Sequence, residues 1–297
     1  MGTRYAVTNL YDDSGKVADH YLNEEFYSFC DSWEHAMEDE KFVAIIDTEL
    51  RAEEYADAPL EGLASLAPTE RVRKFYLMWL RFIDERLKPW TTGGAIHFRP
   101  HWARVLIHAL TIADAMGLPD EDLRCVAMAA VFHDSRRKSP YLDTGHGGRA
   151  AQYYAEACRQ VTDGGKAEAP EEAAATETSA ATTTTSDDRA FGSLVYDPRT
   201  MLAILWHDHD DEEGLQAAAR AVAEDIAPGS EGRGYAASLP DGAQADAATI
   251  LHIFKDSDGL DRVRLGEGGL DEYFLRTEQA RNQVAFAQEL LDASMSV

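Results

Sequence analysis

Apolar residues recur every three or four positions along most of the chain, the spacing of α-helices that bury one face. The pattern is plainest over residues 69–87, where Val72, Phe75, Tyr76, Trp79, Phe82, Ile83 and Leu87 make one wide face. Thr69, following Pro68, is placed to cap that helix, and Pro89 with Gly93-Gly94 ends it. Tyr21, Leu22, Phe26, Phe29, Trp33 and Met37 predict a helix within residues 21–46. Further helices are expected over residues 102–116, 149–160, 200–207, 213–226, 243–261 and 270–293. Another opens on the acidic turn Asp120-Glu121-Asp122, favourable at a helix N-terminus, and runs down to His133 and Asp134. Strand-like alternation is confined to a short hairpin near residues 5–17, so the expected fold class is all-α. Aromatic stripes at this spacing are read as core.

Residues 161–189 interrupt the pattern with Ala, Thr, Glu and Gly, including Thr182-Thr183-Thr184-Thr185. Such a segment lacks the apolar side chains that offset chain ordering, and it is read as a disordered surface insertion spanning about residues 162–190. Candidate ligands lie on both sides of it, so it interrupts one domain and does not join two. The chain therefore divides into an N-terminal helical extension, residues 1–95, and a helical domain, residues 96–297. A second Gly-rich loop is expected over residues 228–242.

Charge narrows the choice of partner. With 28 Lys+Arg against 53 Asp+Glu the formal net charge is −25, which argues against bare nucleic acid and anionic membranes. A small anionic substrate stays compatible if a metal or local arginines reverse the field in a pocket. Cys30, Cys125 and Cys158 are too few and too scattered for a disulfide framework. No signal-type run follows Met1 and no stretch of 18 apolar residues occurs, so a soluble cytoplasmic protein is expected, with homo-oligomerisation left open.

Two motifs carry chemistry. His133-Asp134 ends an apolar helix; at about 100° per residue, Asp134 falls about 20° from Leu123, on the buried face with Ala127 and Ala130. A buried carboxylate needs a positive partner, and a divalent cation is a natural one. In Lys255-Asp256-Ser257-Asp258-Gly259-Leu260-Asp261, Asp258 lies about 20° from Ala247 and is read as buried, while Asp256, at about 180°, is read as facing water. Asp261 is expected to support a ligand from behind.

Together, His101-Trp102-Ala103-Arg104-Val105, Phe132-His133-Asp134 and Ser257-Asp258-Gly259-Leu260 resemble the HD-domain superfamily of metal-dependent phosphohydrolases, over residues 96–275. The resemblance implies an HD-type helical bundle in which His101, His133, Asp134 and Asp258 bind one or two divalent ions (Mn, Fe, Co or Mg). It also implies hydrolysis of a phosphoester or phosphoanhydride, of a nucleotide or another small phosphorylated metabolite. Some of its subfamilies place extra histidines in the two intervals occupied here by His146 and His207, where they bind a second metal or touch substrate phosphate. Asp134, His146 and His207 are accordingly the expected catalytic residues, with His209 as a substitute for His207 and His108 as a packed histidine. Asp143, Asp208 and Asp261 are candidate general acids. Arg104, Arg137, Lys255 and Arg264 are candidates for binding substrate phosphate.

The chain departs from the guanosine tetraphosphate hydrolases, which carry an acidic pair where this sequence has Arg136-Arg137-Lys138. It also lacks the Gly-Tyr-Pro signature of the cyclic-dinucleotide phosphodiesterases. Two alternatives stand beside the hydrolase: a di-iron oxygenase of the same superfamily, against which the short step from Asp134 to His146 and the lack of an assured sixth ligand weigh, and a non-catalytic metal- or nucleotide-binding module.

Overall fold

The computed structural model describes residues 8–11, 17–21, 60–87, 89, 99–138, 143, 145–162, 194–230, 232–266 and 268–295. The described residues are helical apart from turns, loops and one antiparallel hairpin, β1 (Thr8–Tyr11) with β2 (Val17–Tyr21), in which Thr8 faces Tyr21 and the register shifts at Leu10/Tyr11. The helix expected within residues 21–46 and the insertion of residues 162–190 fall outside the described residues, save for Tyr21 at the end of β2 and Thr162 at a helix end.

Helix α1 (Glu70–Glu85) begins where its cap predicts, with Thr69 Oγ1 accepting from the Val72 amide at 3.2 Å. Its buried face is Val72, Phe75, Tyr76, Trp79, Leu80 and Ile83. Burial of such a side chain contributes roughly 1.5–3 kcal/mol. The Tyr76 hydroxyl donates to the Leu60 carbonyl at 2.7 Å and ties down the 3-10 turn Leu60–Leu66. Residues 60–87, assigned above to an extension, thus lie in the same apolar core as the later helices, and the boundary expected at residue 95 does not divide that core.

Helix α2 (Arg99–Ala115) is buried all round from Pro100 to Ala113 because α1, α3 (Asp120–Phe132) and α8 (Ala247–Leu260) pack around it. Helix α5 (Pro198–Trp206) lies against α3, α8, α4 (His146–Thr162) and α6 (Asp211–Ala223). A buried ionic triad fixes the start of α5: Arg199 donates to Asp197 Oδ2 at 2.7 Å, to Asp122 Oδ1 at 2.5 Å and to the Ala245 carbonyl at 2.7 Å. The loop expected over residues 228–242 carries a short helix, α7 (Tyr235–Ser238).

Several helix starts differ from expectation, among them that of α8, which begins at Ala247, four residues late. Helix α2 begins at Arg99 with Pro100 in its first turn, where the missing amide costs no hydrogen bond, so His101 stands on the helix and not before it. Helix α4 begins at His146, three residues early. The single helix expected over residues 270–293 is instead a 3-10 turn (Glu272–Phe274), α9 (Glu278–Arg281) and α10 (Val284–Met295), broken because Asp271 and Thr277 each cap a new start. Among the described residues, no helix is long and apolar enough to cross a membrane.

Candidate metal centre

Five helix ends meet on one side of this core. His101 comes from the first turn of α2, His133 and Asp134 from the end of α3, His146 from the first residue of α4, His207 from the end of α5 and Asp258 from the last turn of α8. Side chains from residues far apart in sequence thereby reach one buried point: His101 and His133 are fully buried, and the Asp134 side chain is 2% exposed.

The imidazoles share an orientation set by the backbone. Nδ1 of His133 donates to the Ala130 carbonyl at 2.8 Å, that of His146 to the Asp143 carbonyl at 2.7 Å and that of His207 to the Ile204 carbonyl at 2.7 Å. A carbonyl only accepts, so each Nδ1 carries a proton and each Nε2 is turned inward. His101 is held differently, through Nδ1 and Asp261 Oδ2 at 2.7 Å, and Asp261 is held in turn by Arg104 Nε at 2.5 Å and Nη2 at 3.1 Å. Such outer partners fix the ring of a ligating histidine and raise its basicity.

The inward nitrogens approach in pairs, His101 Nε2 to His133 Nε2 at 3.1 Å and His146 Nε2 to His207 Nε2 at 2.9 Å. Two lone pairs that face each other so closely repel unless something positive lies between them. Donors about 2.1 Å from one cation stand roughly 3.0 Å apart at a right angle and roughly 3.4 Å apart in a tetrahedron, so both contacts fit ligand edges. Asp134 joins the pairs. Its Oδ2 lies 3.5 Å from His133 Nε2 and 3.7 Å from His101 Nε2, and its Oδ1 lies 3.1 Å from His146 Nε2 and 3.8 Å from His207 Nε2. Two donor groups result, His101/His133/Asp134 and Asp134/His146/His207, and either can hold a metal ion. Asp258 Oδ1 closes on the first group, 3.4 Å from His101 Nε2, with a side chain 34% exposed, the most open of these donors.

Electrostatics suit a cation. Burial, with help from the neighbouring His101, lowers His133 to about 3 against the pull of Asp134, so its Nε2 is free of a proton at neutral pH. Burial would raise Asp258, but His101, His133, Arg264 and His207 outweigh it and bring the carboxyl down to about 2. His207 goes the other way: burial lowers it, and the carboxylates of Asp134, Asp208 and Asp258 more than reverse that. Nitrogen and carboxylate donors of this mixture are common ligands of divalent cations.

Gly147 makes the second group possible. A Cβ at this position would lie 2.7 Å from Asp208 Oδ1 and 2.8 Å from the Ile204 carbonyl oxygen, so only glycine lets the start of α4 seat against the end of α5. That closeness brings His146 to His207.

Several expectations need correction. Asp256 does not face water: it is fully buried, accepting from the Arg276 amide at 2.8 Å and from the Thr277 amide and hydroxyl at 2.7 Å each. The segment after residue 270 folds over that face of α8, so the helix has no fully solvated side. Arg104, a candidate for substrate phosphate, is instead buried on Asp261 and Ser294, a strut behind His101. Lys255 is likewise engaged away from the centre, by the His209 carbonyl and by Asp211 Oδ1 at 2.7 Å. Arg264 donates to Asp261 Oδ2 at 3.3 Å, and Arg137 Nη1 reaches Asp134 Oδ1 at 3.2 Å and His146 Nε2 at 3.1 Å. His209 is on the outside against Glu213, so His207 is the histidine of its segment that turns inward. Of the candidate general acids, Asp143 is held by the Lys138 amide and Arg149, Asp261 by Arg104, and Asp208 lies 3.2 Å from His146 Nδ1. The three carbonyls that orient the imidazoles lie one helical turn before each histidine, a relation visible in sequence only once the helix ends are known.

No family model, curated protein or solved structure matches the chain. The helical architecture and the buried His/Asp cluster are compatible with an HD-type site.

Proposed function

We propose that the protein is a metal-dependent phosphohydrolase of the HD-domain type, acting on a phosphoester or phosphoanhydride of a nucleotide or similar small metabolite. The observation that carries the reading is the sharing of Asp134 between two donor groups whose nitrogens lie at ligand-edge distances. His101, His133, Asp134 Oδ2 and Asp258 would hold one ion, and Asp134 Oδ1, His146 and His207 a second. Ions held there lower the pKa of bound water and polarise a phosphoryl oxygen.

The chain supplies the remaining parts. Asp261 and the three carbonyls keep the four imidazoles in the tautomer that presents Nε2. Arg137 and Arg264 provide positive charge beside the carboxylates, in a chain otherwise strongly acidic, which favours an anionic substrate. Asp258, the most open donor, marks the side from which substrate reaches the centre. Asp208 is placed to exchange a proton near His146.

The test is a His133→Ala/Asp134→Ala protein, assayed for bound metal by elemental analysis and for hydrolysis over a nucleotide and phosphoester panel. Loss of both supports the reading; turnover equal to the parent's refutes it. A second reading, the di-iron oxygenase, is favoured by one observation. Six His/Asp donors (His101, His133, Asp134, His146, His207 and Asp258) converge despite the short step from Asp134 to His146, which removes the sequence-based objection. Oxygen consumption by the Fe(II)-loaded protein, with no phosphate released from the panel, would select it.

A further inference from the structure

Arg137 stands where a ligand of the second ion would be. Its Nη1 lies 3.2 Å from Asp134 Oδ1 and 3.1 Å from His146 Nε2, and those two atoms are 3.1 Å from each other. The three atoms make a nearly equilateral triangle, the shape of one face of an octahedron whose centre is about 2.2 Å from each corner. A guanidinium has no lone pair to offer and donates through this nitrogen. It therefore uses the same lone pairs of Asp134 and His146 that a second ion needs, from a corner that water or a substrate oxygen would take.

Charge sharpens the conflict. Asp134 and Asp258 carry two negative charges, which a first divalent ion balances. A second ion would bring two more positive charges against the single charge of the Arg137 guanidinium, with Asp208, behind His146, as the further carboxylate, in a place where the Asp134 side chain is 2% exposed. Like charges at such separations are strongly unfavourable away from water. Arg137 has to leave before the second ion is secure, and an anion that gives the displaced guanidinium a partner makes leaving easier.

We propose that Arg137 is a displaceable internal cation that competes with the second metal ion for Asp134 Oδ1 and His146 Nε2, so that the centre fills in two unequal steps coupled to anion binding. This rests on the reading of the centre as a metal site. It makes the first group the resident site and the second group the one that loads together with a phosphate-bearing ligand.

The experiment is a Mn(II) titration of the full chain, followed by calorimetry and elemental analysis, for the parent and for Arg137→Met, with and without inorganic phosphate. The parent is expected to bind one ion tightly and the second at least about tenfold more weakly, the equivalent of one charge-assisted hydrogen bond. Arg137→Met should close that gap by a similar factor and leave the first ion unchanged, which also certifies that the variant is folded. Phosphate should tighten the second ion more in the parent than in the variant. Arg137→Gln, which removes the charge and keeps a polar side chain, repeats the measurement if the Met variant does not fold. A second-ion affinity that is unchanged or weaker in the folded variants, or two equal sites in the parent, overturns the proposal and leaves the metal centre standing. A parent that takes up no ion refutes the metal centre itself.

Discussion

Asp261 Oδ2 lies 2.7 Å from His101 Nδ1, and neither side chain has measurable exposure. Asp261 sits at the first residue after α8 and His101 in the first turn of α2, so this bond fixes one donor of the centre by joining two helix ends. Arg104, on the next turn of α2, binds the same carboxylate, and His101 and Arg104 hold Asp261 well below the usual carboxylate range although burial alone would raise it.

The first prediction follows from that pair. Asp261→Asn keeps the shape and removes the charge, leaving Arg104 buried without its counter-ion and His101 free to turn. Affinity for the first ion should fall about 10- to 100-fold, measured by Mn(II) titration. An affinity equal to the parent's would show that Asp261 has no part in orienting His101.

Asp256 and Asp258 make a double dissociation. Asp258→Ala should lose first-site affinity with little change in stability, because its carboxylate bonds no backbone group. Asp256→Ala should keep the ion and lose about 1–3 kcal/mol in denaturant unfolding, because the Arg276 amide and the Thr277 amide and hydroxyl at the start of α9 lose their buried acceptor, while Arg276 keeps its pair with Asp211. The opposite pattern would mean that Asp256 is the donor.

That pair also shows how far the sequence could be read. Helix periodicity placed Asp134 on a buried face, which depends only on position along one helix, but it also read Asp258 as buried, and that side chain is 34% exposed beside the other donors. It failed for Asp256 because whether the opposite face meets water depends on where residues 270–283 travel, which no local pattern encodes. The cap at Thr69 and the ends of α3 and α5 were legible from local chemistry. The triad of Arg199, Asp197 and Asp122, the Arg104 strut and the seating of Gly147 against Asp208 are not, because each joins segments whose meeting is decided by packing.

Gly147→Ala tests that seating. The added Cβ would press on the Ile204 carbonyl and on Asp208, moving the start of α4 from the end of α5. His146 and His207 would separate, so the second ion should weaken at least about tenfold while the first is unchanged, as overpacking of about 1–3 kcal/mol would produce. Equal loss of both ions would contradict the division of the centre into two donor groups.

Acid sensitivity is expected from His108. This side chain is fully buried beside Phe286, with no closely aligned hydrogen bond at either ring nitrogen among the described residues, and burial lowers it from 6.5 to about 4 despite the carboxylate of Asp261 and the nearby Gln283 side chain. Between those values the unfolded chain holds a proton there that the folded chain does not, so stability falls as pH drops, by up to about 1.4 kcal/mol per pH unit. His133, lowered to about 3, acts in the same direction in protein without metal, whereas His207, which is raised, has its opposite effect only above about pH 6.5. His108→Leu should therefore flatten the dependence of urea midpoint on pH between about 6.5 and 4 without lowering stability at pH 8, because a buried imidazole with no closely aligned hydrogen bond is replaced by an apolar side chain. A variant whose acid slope matches the parent's would mean that His108 gains its proton in the folded protein as readily as in the unfolded chain, and the loss of stability in acid would then have to come from other groups.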